Sequence, residues 1–344
     1  MSTSADAGAG GETVLSVRGL TVEFPGKGRT VTPVRGVDLD LRRGTRLGLV
    51  GESGSGKSLT ALALMRLIRA PGRVRGEVIL DGQNLLELPE RRMAGFRGRR
   101  IAMVYQNPMS ALNPVYSVGR QIAEAVRLSG PVSRRQAHQR AVELLDEVGV
   151  PSAARRAESY PHEFSGGMRQ RVVIAMALAG EPDVIVADEP TTALDVTTQA
   201  RVIDLLSTLA DRHGTSVVLI THDLGVAASF CDDIHVMYAG RIVERADVHG
   251  FFRGQVHPYS EALLSSVCGM DIDVSRPILA IPGHPPLPDQ LPAGCSFAPR
   301  CQAATERCSV DTPEPLRLGG GREAECLFAA ERAVPVATRG ADHG

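Results

Sequence analysis

Gly51-Glu52-Ser53-Gly54-Ser55-Gly56-Lys57-Ser58 is the stretch on which the reading of the fold turns. It satisfies the pattern G-x-x-x-x-G-K-[ST] in full. Arg46 to Val50 (RLGLV), just before it, is a short apolar run of strand length, and Leu59 to Ile68, just after it, has helical spacing. Strand, glycine loop and helix in that order open a nucleotide-binding α/β unit. The glycines let successive backbone N–H groups converge on phosphate oxygens where side chains would block approach, and the helix N-terminus adds a favourable dipole. The expected nucleotide-binding set is therefore Gly51, Ser53, Gly54, Ser55, Gly56, Lys57, Ser58 and Leu59, with Lys57 on the β/γ-phosphates and Ser58 on Mg²⁺.

Working outward, Val14 to Phe24 and Val37 to Leu41 alternate apolar and polar residues as half-buried strands do. Ile101 to Tyr105, Val184 to Ala187 and Val217 to Ile220 are buried-strand candidates. Helical segments Gln170 to Leu178 and Gln199 to Leu209 separate the later ones, which implies a mostly parallel sheet. Between Asn107 and Phe164 the pattern becomes helical, including Val118 to Leu128 and Ser133 to Val148, and is read as an insert. Ile234 to Glu244 forms a hairpin around Ala239-Gly240. His257 to Val267 suits one amphipathic helix, Ile278 to Pro299 is too rich in Pro and Gly for regular structure, and the last dozen residues read as frayed.

The strand Val184 to Ala187 delivers Asp188-Glu189 at its tip. A carboxylate there can hold Mg²⁺ directly or through water, so Asp188 takes that role, and Glu189 is placed to polarise the attacking water. Phosphoryl transfer asks a protein mainly for positioning and charge neutralisation, which this pair supplies.

The 344 residues allow one large domain and a smaller one, and 43% apolar residues suffice for a core. A net charge of −1 gives no electrostatic reason to expect nucleic acid as a partner. Lys27 and Lys57 are the only lysines, so positive charge is almost entirely arginine. Trp is absent, and no run approaches the roughly 18 consecutive apolar residues of a spanning helix. Met1 to Gly11 is small, acidic and Gly-rich, and is expected to be a disordered lead-in rather than an export signal. Of the six cysteines, Cys231 and Cys268 are scattered, whereas Cys295, Cys301, Cys308 and Cys326 cluster near the end. In a cytoplasmic chain such clustering favours a metal site over disulfides.

Further motifs carry a resemblance to a family. Phe164-Ser165-Gly166-Gly167-Met168-Arg169-Gln170 resembles the signature sequence of ABC ATPases. Gln106 resembles the Q-loop glutamine, Ala193-Leu194-Asp195 the D-loop and His222 the switch histidine. Each alone is a weak signal, but six elements in the right order across Val14 to Arg245 are specific. Gln106-Asn107-Pro108-Met109-Ser110-Ala111-Leu112-Asn113-Pro114 resembles the segment that docks a membrane-subunit helix in peptide and nickel importers. His257-Pro258-Tyr259, Ile281-Pro282-Gly283 and Gly294-Cys295-Ser296-Phe297 through Cys308 resemble the C-terminal extension of the same importers.

The resemblance implies an α/β P-loop NTPase of the ABC ATPase type. It would have a RecA-like core, an N-terminal antiparallel β subdomain, a helical insert and a small irregular Cys-containing C-terminal extension. The corresponding boundaries are a lead-in at 1–11, a nucleotide-binding domain at 12–250 with a helical subdomain at about 107–168, and an extension at 251–344. Implied catalytic residues are Glu189, His222 and Gln106, with Gln106 joining Ser58 and Asp188 around Mg²⁺. Two cassettes would meet head to tail, so that Ser165, Gly166 and Gly167 contact ATP held mainly by the partner; their physics is again a helix N-terminus and glycine amides. Phe24 is the implied adenine-stacking residue, with strand core as the alternative.

The four clustered cysteines are separated by five, six and seventeen residues, which is not zinc-ribbon spacing. Four thiolates suit either Zn²⁺ or a [4Fe–4S] cluster, and free thiols stay open. The resemblance points to the cluster. It also implies a second, related ATPase subunit in a heterodimer, two transmembrane permease subunits, an extracytoplasmic solute-binding protein, and a peripheral location on the cytoplasmic face of the inner membrane. The function so implied is ATP hydrolysis driving uptake of di- or oligopeptides, with nickel chelates or glutathione as the sister reading. A soluble ABC ATPase of DNA repair or translation would carry a coiled-coil insertion, a second cassette or basic patches, none of which appears. A partner that binds ATP without turnover is disfavoured by Glu189 and His222.

Overall fold

The computed structural model describes residues 11–26, 28–192, 194–266 and 281–333. The expected lead-in up to residue 10, Ala193 of the D-loop segment, Val267, Cys268, residues 278–280 and the tail from 334 lie outside the described residues.

The strands in chain order are β1 (Thr13–Pro25), β2 (Thr30–Arg42), β3 (Arg46–Val50), β4 (Arg73–Leu80), β5 (Gln83–Asn84) and β6 (Ile101–Val104). They continue as β7 (Val184–Asp188), β8 (Ser216–Thr221), β9 (Asp233–Tyr238), β10 (Arg241–Asp247), β11 (Leu316–Arg317) and β12 (Glu323–Ala324). One antiparallel sheet has the order β2-β1-β4-β5, and a larger sheet has the order β11-β12-β10-β9-β3-β8-β7-β6. Within the larger sheet β9, β3, β8, β7 and β6 run parallel. Every residue of β7 and β8 is buried. That is why these strands read as unbroken apolar runs rather than as alternation.

Two apolar layers flank the parallel strands. On one face Leu15, Leu20 and Val37 of the antiparallel sheet pack with Leu49, Val186, Val218 and Ile220. On the other, Ile185, Ala187 and Leu219 meet Val172 and Ile174 of the helix Gly166–Leu178 and Leu144 and Ile122 of the helical segment. That segment contains Pro108–Ala111, Val118–Ser129, Arg134–Glu147 and Ala153–Arg156. Ser133 and Gln136 form a reciprocal capping box at the start of Arg134–Glu147, which fixes where it begins.

The hairpin around Ala239-Gly240 is present as β9 and β10, with φ of +44° and +87° at its two turn residues. The helix expected over Leu59 to Ile68 instead spans Lys57–Leu64. It stops early because Met65 is its cap and Arg66 turns to φ +51°, out of helical space. The helix expected from His257 runs Pro258–Ser265, with the His257 side chain accepting a hydrogen bond from the Tyr259 N–H as its cap. Among residues 281–299 the only regular element is the start of a short 3₁₀ turn, Ala298–Arg300. No helix among the described residues is long and apolar enough to cross a membrane.

Candidate functional site: a phosphate loop facing an acidic strand tip

The C-terminal ends of β3, β7 and β8 open on a cavity of about 570 Å³. Residues 51–54 and 56–59 line it, together with Pro33, Gln106, Glu189, His222 and Leu263. Two glycines are required by the loop path. Gly51 has φ +150°, and a Cβ there would stand 2.2 Å from the Met237 carbonyl oxygen. Gly56, the cap of the helix Lys57–Leu64, has φ +109°, and its Cβ would meet the Pro33 carbonyl at 2.8 Å. Both are positions where any other residue would force the backbone to move.

Lys57 is 5% exposed, and its Nζ donates to the carbonyls of Gly51 at 2.7 Å and Glu52 at 2.8 Å. Burial lowers its pKa, opposed by the nearby carboxylates of Glu189, Asp188 and Glu52. Behind it the Ser58 hydroxyl donates to Asp188 Oδ1 at 3.0 Å. Asp188 is buried at the tip of β7, and desolvation raises its pKa with help from the adjacent Glu189 charge, against the Ser58 hydrogen bond and Lys57. A hydroxyl and a carboxylate oxygen paired in this way are a suitable donor set for a hard divalent cation such as Mg²⁺.

Glu189 sits at φ +45°, a conformation costly for a residue with a side chain. Its backbone N–H donates to the Ile220 carbonyl at 2.9 Å, which holds the turn. Its carboxylate accepts from Gln106 Nε2 at 2.9 Å and Thr192 Oγ1 at 2.8 Å, and His222 Nδ1 lies 3.2 Å from the other oxygen. Burial pushes its pKa up, but the hydrogen bonds from Thr192 and His222 and the charges of His222 and Lys57 outweigh it, so the carboxyl is held below its ordinary range. Glu189 is thus an ionised, oriented acceptor, as a residue that positions water must be.

The structure brings Gln106, Glu189 and His222 together beside Lys57 and Ser58. Ser55 is buried under the loop, where its carbonyl accepts from the Gly240 N–H. Phe24 is outside the cavity lining and stands against Gly72. Ser165, Gly166 and Gly167 do not line the cavity either. Ser165 caps the helix Gly166–Leu178 and is exposed together with Gly166, leaving that helix N-terminus open to another molecule. Sequence reasoning missed Thr192, although it lies only three residues past Glu189, and missed Leu263 and Pro33 as walls. It also missed the contacts of Glu52 with Tyr259 and Arg300.

A second cavity, of about 340 Å³, is lined by Cys295, Cys301, Cys308 and Cys326, with Phe297 and Arg332 among its other walls. Burial raises the thiol pKa of Cys295, Cys301 and Cys326, and neighbouring cysteines of the same set add to it. Among the described residues no group of three or more His, Cys, Asp or Glu side chains is placed to hold a single metal ion. The four thiols surround a space rather than converge on a point.

A phosphate loop opposed by an Asp188–Glu189 carboxylate pair and a histidine, on a parallel sheet flanked by an antiparallel sheet and a helical segment, defines an ATP-binding cassette ATPase. Residues 34–192 match the ABC transporter family, and residues 243–308 match the oligopeptide/dipeptide transporter C-terminal region. The chain is 48% identical over 320 residues to a probable peptide ABC transporter ATP-binding protein, y4tR, of Sinorhizobium fredii, covering 92% of this chain and 96% of that one. It is 44% identical over 319 residues to the oligopeptide transport ATP-binding protein OppD of Haemophilus influenzae, covering 93% and 98%. The cassette MJ0796, solved as a dimer in a post-hydrolysis state bound to ADP and Pi, superposes with a TM-score of 0.61 at 28% identity, over 68% of this chain and 98% of that one. The chain belongs to the ATP-binding subunits of the oligopeptide/dipeptide family of ABC transporters.

Proposed function

We propose that this ABC ATPase binds and hydrolyses MgATP to power the uptake of di- or oligopeptides, as one of two cassettes of a membrane importer. The observation that carries the catalytic part is the convergence of Gln106, Thr192 and His222 on one carboxylate, Glu189, beside Lys57 and the Ser58–Asp188 pair. Lys57 exchanges its two carbonyl partners for phosphate oxygens, and residues 51 to 59 cradle the phosphates through backbone N–H groups. Ser58, Asp188 and Gln106 would hold Mg²⁺, which would supply neutralisation of phosphate charge. Glu189 orients the attacking water and accepts its proton, while His222 fixes the Glu189 carboxylate and reaches the γ-phosphate side of the site. Phe24 is retained as the adenine-side aromatic.

Ser165, Gly166 and Gly167 serve the ATP of the partner cassette, a role supported by their exposed helix N-terminus, which lies outside their own chain's cavity. The partner is assigned as a related but different ATPase, with two transmembrane permease subunits and an extracytoplasmic solute-binding protein completing the importer. The chain would then sit peripherally on the cytoplasmic face of the inner membrane. Support for docking to membrane subunits comes from the exposed apolar side chains of Met109 and Val115 just after Gln106. Peptides are favoured over nickel chelates or glutathione because the similar proteins are a peptide and an oligopeptide transport ATP-binding protein.

Cys295, Cys301, Cys308 and Cys326 are assigned a [4Fe–4S] cluster. The lining of one cavity by all four cysteines is the support for that assignment. The raised thiol pKa values of Cys295, Cys301 and Cys326 mean that loading these three releases protons.

The test of the catalytic reading is Glu189→Gln in the assembled transporter. Turnover is expected to fall by about 10²–10⁴-fold with ATP affinity kept, the usual scale for a lost general base. A wild-type complex that binds ATP yet turns over no faster than the variant would instead support a non-hydrolysing partner.

A further inference from the structure

Glu52, the second residue of the phosphate loop, is gripped from the C-terminal extension. Its carboxylate accepts a two-pronged pair from Arg300, Nη1 to Oε2 at 2.7 Å and Nη2 to Oε1 at 2.9 Å. Its backbone N–H donates to the Tyr259 hydroxyl at 2.8 Å. Its carbonyl, like that of Gly51, accepts from Lys57 Nζ. One residue of the loop is therefore fixed at three points, two of them supplied from more than 200 residues along the chain.

The grip is rigid at its source. The Arg300 side chain is 4% exposed, its Nε donates to the Pro282 carbonyl at 2.8 Å, and its guanidinium lies 5.8 Å from the centre of the Tyr238 ring. Phe297, at the start of the same 3₁₀ turn, packs edge-on to Tyr238 and Tyr259 at 5.3 and 5.4 Å. Leu263, one turn after Tyr259 on the helix Pro258–Ser265, reaches the nucleotide cavity itself. A buried planar fork fixes direction as well as charge, which an ammonium group in its place would not.

We propose that Arg300 and Tyr259 are positioning residues for the phosphate loop, setting through Glu52 where Lys57 and the loop amides meet the phosphates, so that the C-terminal extension completes the ATP site. This rests on the reading that the loop holds ATP. The extension is then required for full nucleotide affinity rather than being a separate appendage. Cys301 directly follows Arg300, and Phe297 walls the cysteine-lined cavity, so the turn that grips the loop is also part of that cavity.

The experiment compares the ATPase of the purified full transporter with Tyr259→Phe, Arg300→Lys, Glu52→Gln and the pair Arg300→Lys/Glu52→Gln. Tyr259→Phe removes one hydroxyl and leaves the ring packing, so it is the variant least able to unfold the chain. The expected result is an apparent KM for ATP raised about fivefold in Tyr259→Phe and about tenfold or more in Arg300→Lys, with kcat changed less than about threefold. The double variant is expected to be no worse than its poorer single, because the two groups act as one unit. Unchanged KM in both Tyr259→Phe and Arg300→Lys, with thermal melts like wild type, would overturn the proposal, as would a fall in kcat alone. Lys57→Ala run alongside separates the two claims: if it too leaves ATP binding intact, the fault lies with the phosphate-loop reading.

Discussion

Asp188 and Glu189 are neighbours with opposite electrostatics. Desolvation at the buried strand tip raises the pKa of Asp188, whereas hydrogen bonds from Thr192 and His222 keep Glu189 below its ordinary range despite its burial. For Asp188 the folded state binds a proton more tightly than the unfolded chain. Its contribution to stability is therefore full below the unfolded pKa and is lost as pH rises through the folded value. At neutral pH the nucleotide-free protein thus bears the cost of a buried charge, one that the proposed cation site uses. Asp188→Asn should raise the melting temperature of the nucleotide-free chain at neutral pH by roughly 1–3 °C, a gain that vanishes below the carboxylate range. Thermal melts across pH, with and without MgATP, check this, and the variant should also lose the stabilisation that MgATP confers. A variant less stable than wild type at every pH would show that the Ser58–Asp188 hydrogen bond outweighs desolvation.

At the scale of elements, what could be read from the chain followed from how local each signal was. The buried strands β7 and β8 and the hairpin β9–β10 announce themselves because burial on both faces or a tight turn leaves a contiguous trace. Strand β4 went unread because RVRGEVIL carries Arg73, Arg75 and Glu77 and a Gly, and only its end is buried. Its place is fixed by pairing with β1, which a sequence window does not contain. The helix after the phosphate loop was extended too far because apolar spacing continues past Met65 while the backbone turns at Arg66. The residues of the proposed catalytic set, which the structure brings together, were legible as motifs, whereas the grip of Arg300 and Tyr259 on Glu52 depends on tertiary contact alone.

The irregular element around Cys295 to Cys326 was legible as clustered cysteines and a family resemblance; the structure adds that all four side chains line one cavity. Protein purified without oxygen should carry about four irons per chain with broad visible absorbance, and replacing Cys301 by Ser should remove most of both. Absence of iron and colour from the anaerobic wild type would remove the cluster and leave zinc or free thiols as the readings.

For the whole molecule, the extension and the core are joined by more than the loop contact. Strand β12 adds to β10, Arg241 forms a two-pronged pair with Glu325, and buried Glu244 accepts the N–H groups of Val256 and His257. The nucleotide cavity is thus held by contacts from both core and extension within one chain, while Ser165 at its helix N-terminus is exposed and outside the cavity lining. On the proposed reading, a second cassette supplies the missing face of a site so divided. The most direct measurement places a spin label at Ser165→Cys in a Glu189→Gln transporter, substitutes Mn²⁺ for Mg²⁺ with ATP, and reads the label-to-metal distance. The account predicts a short distance that appears only in the assembled, ATP-bound complex and disappears when the partner cassette is omitted. A distance that stays long throughout, with ATP bound and the complex intact, would contradict it.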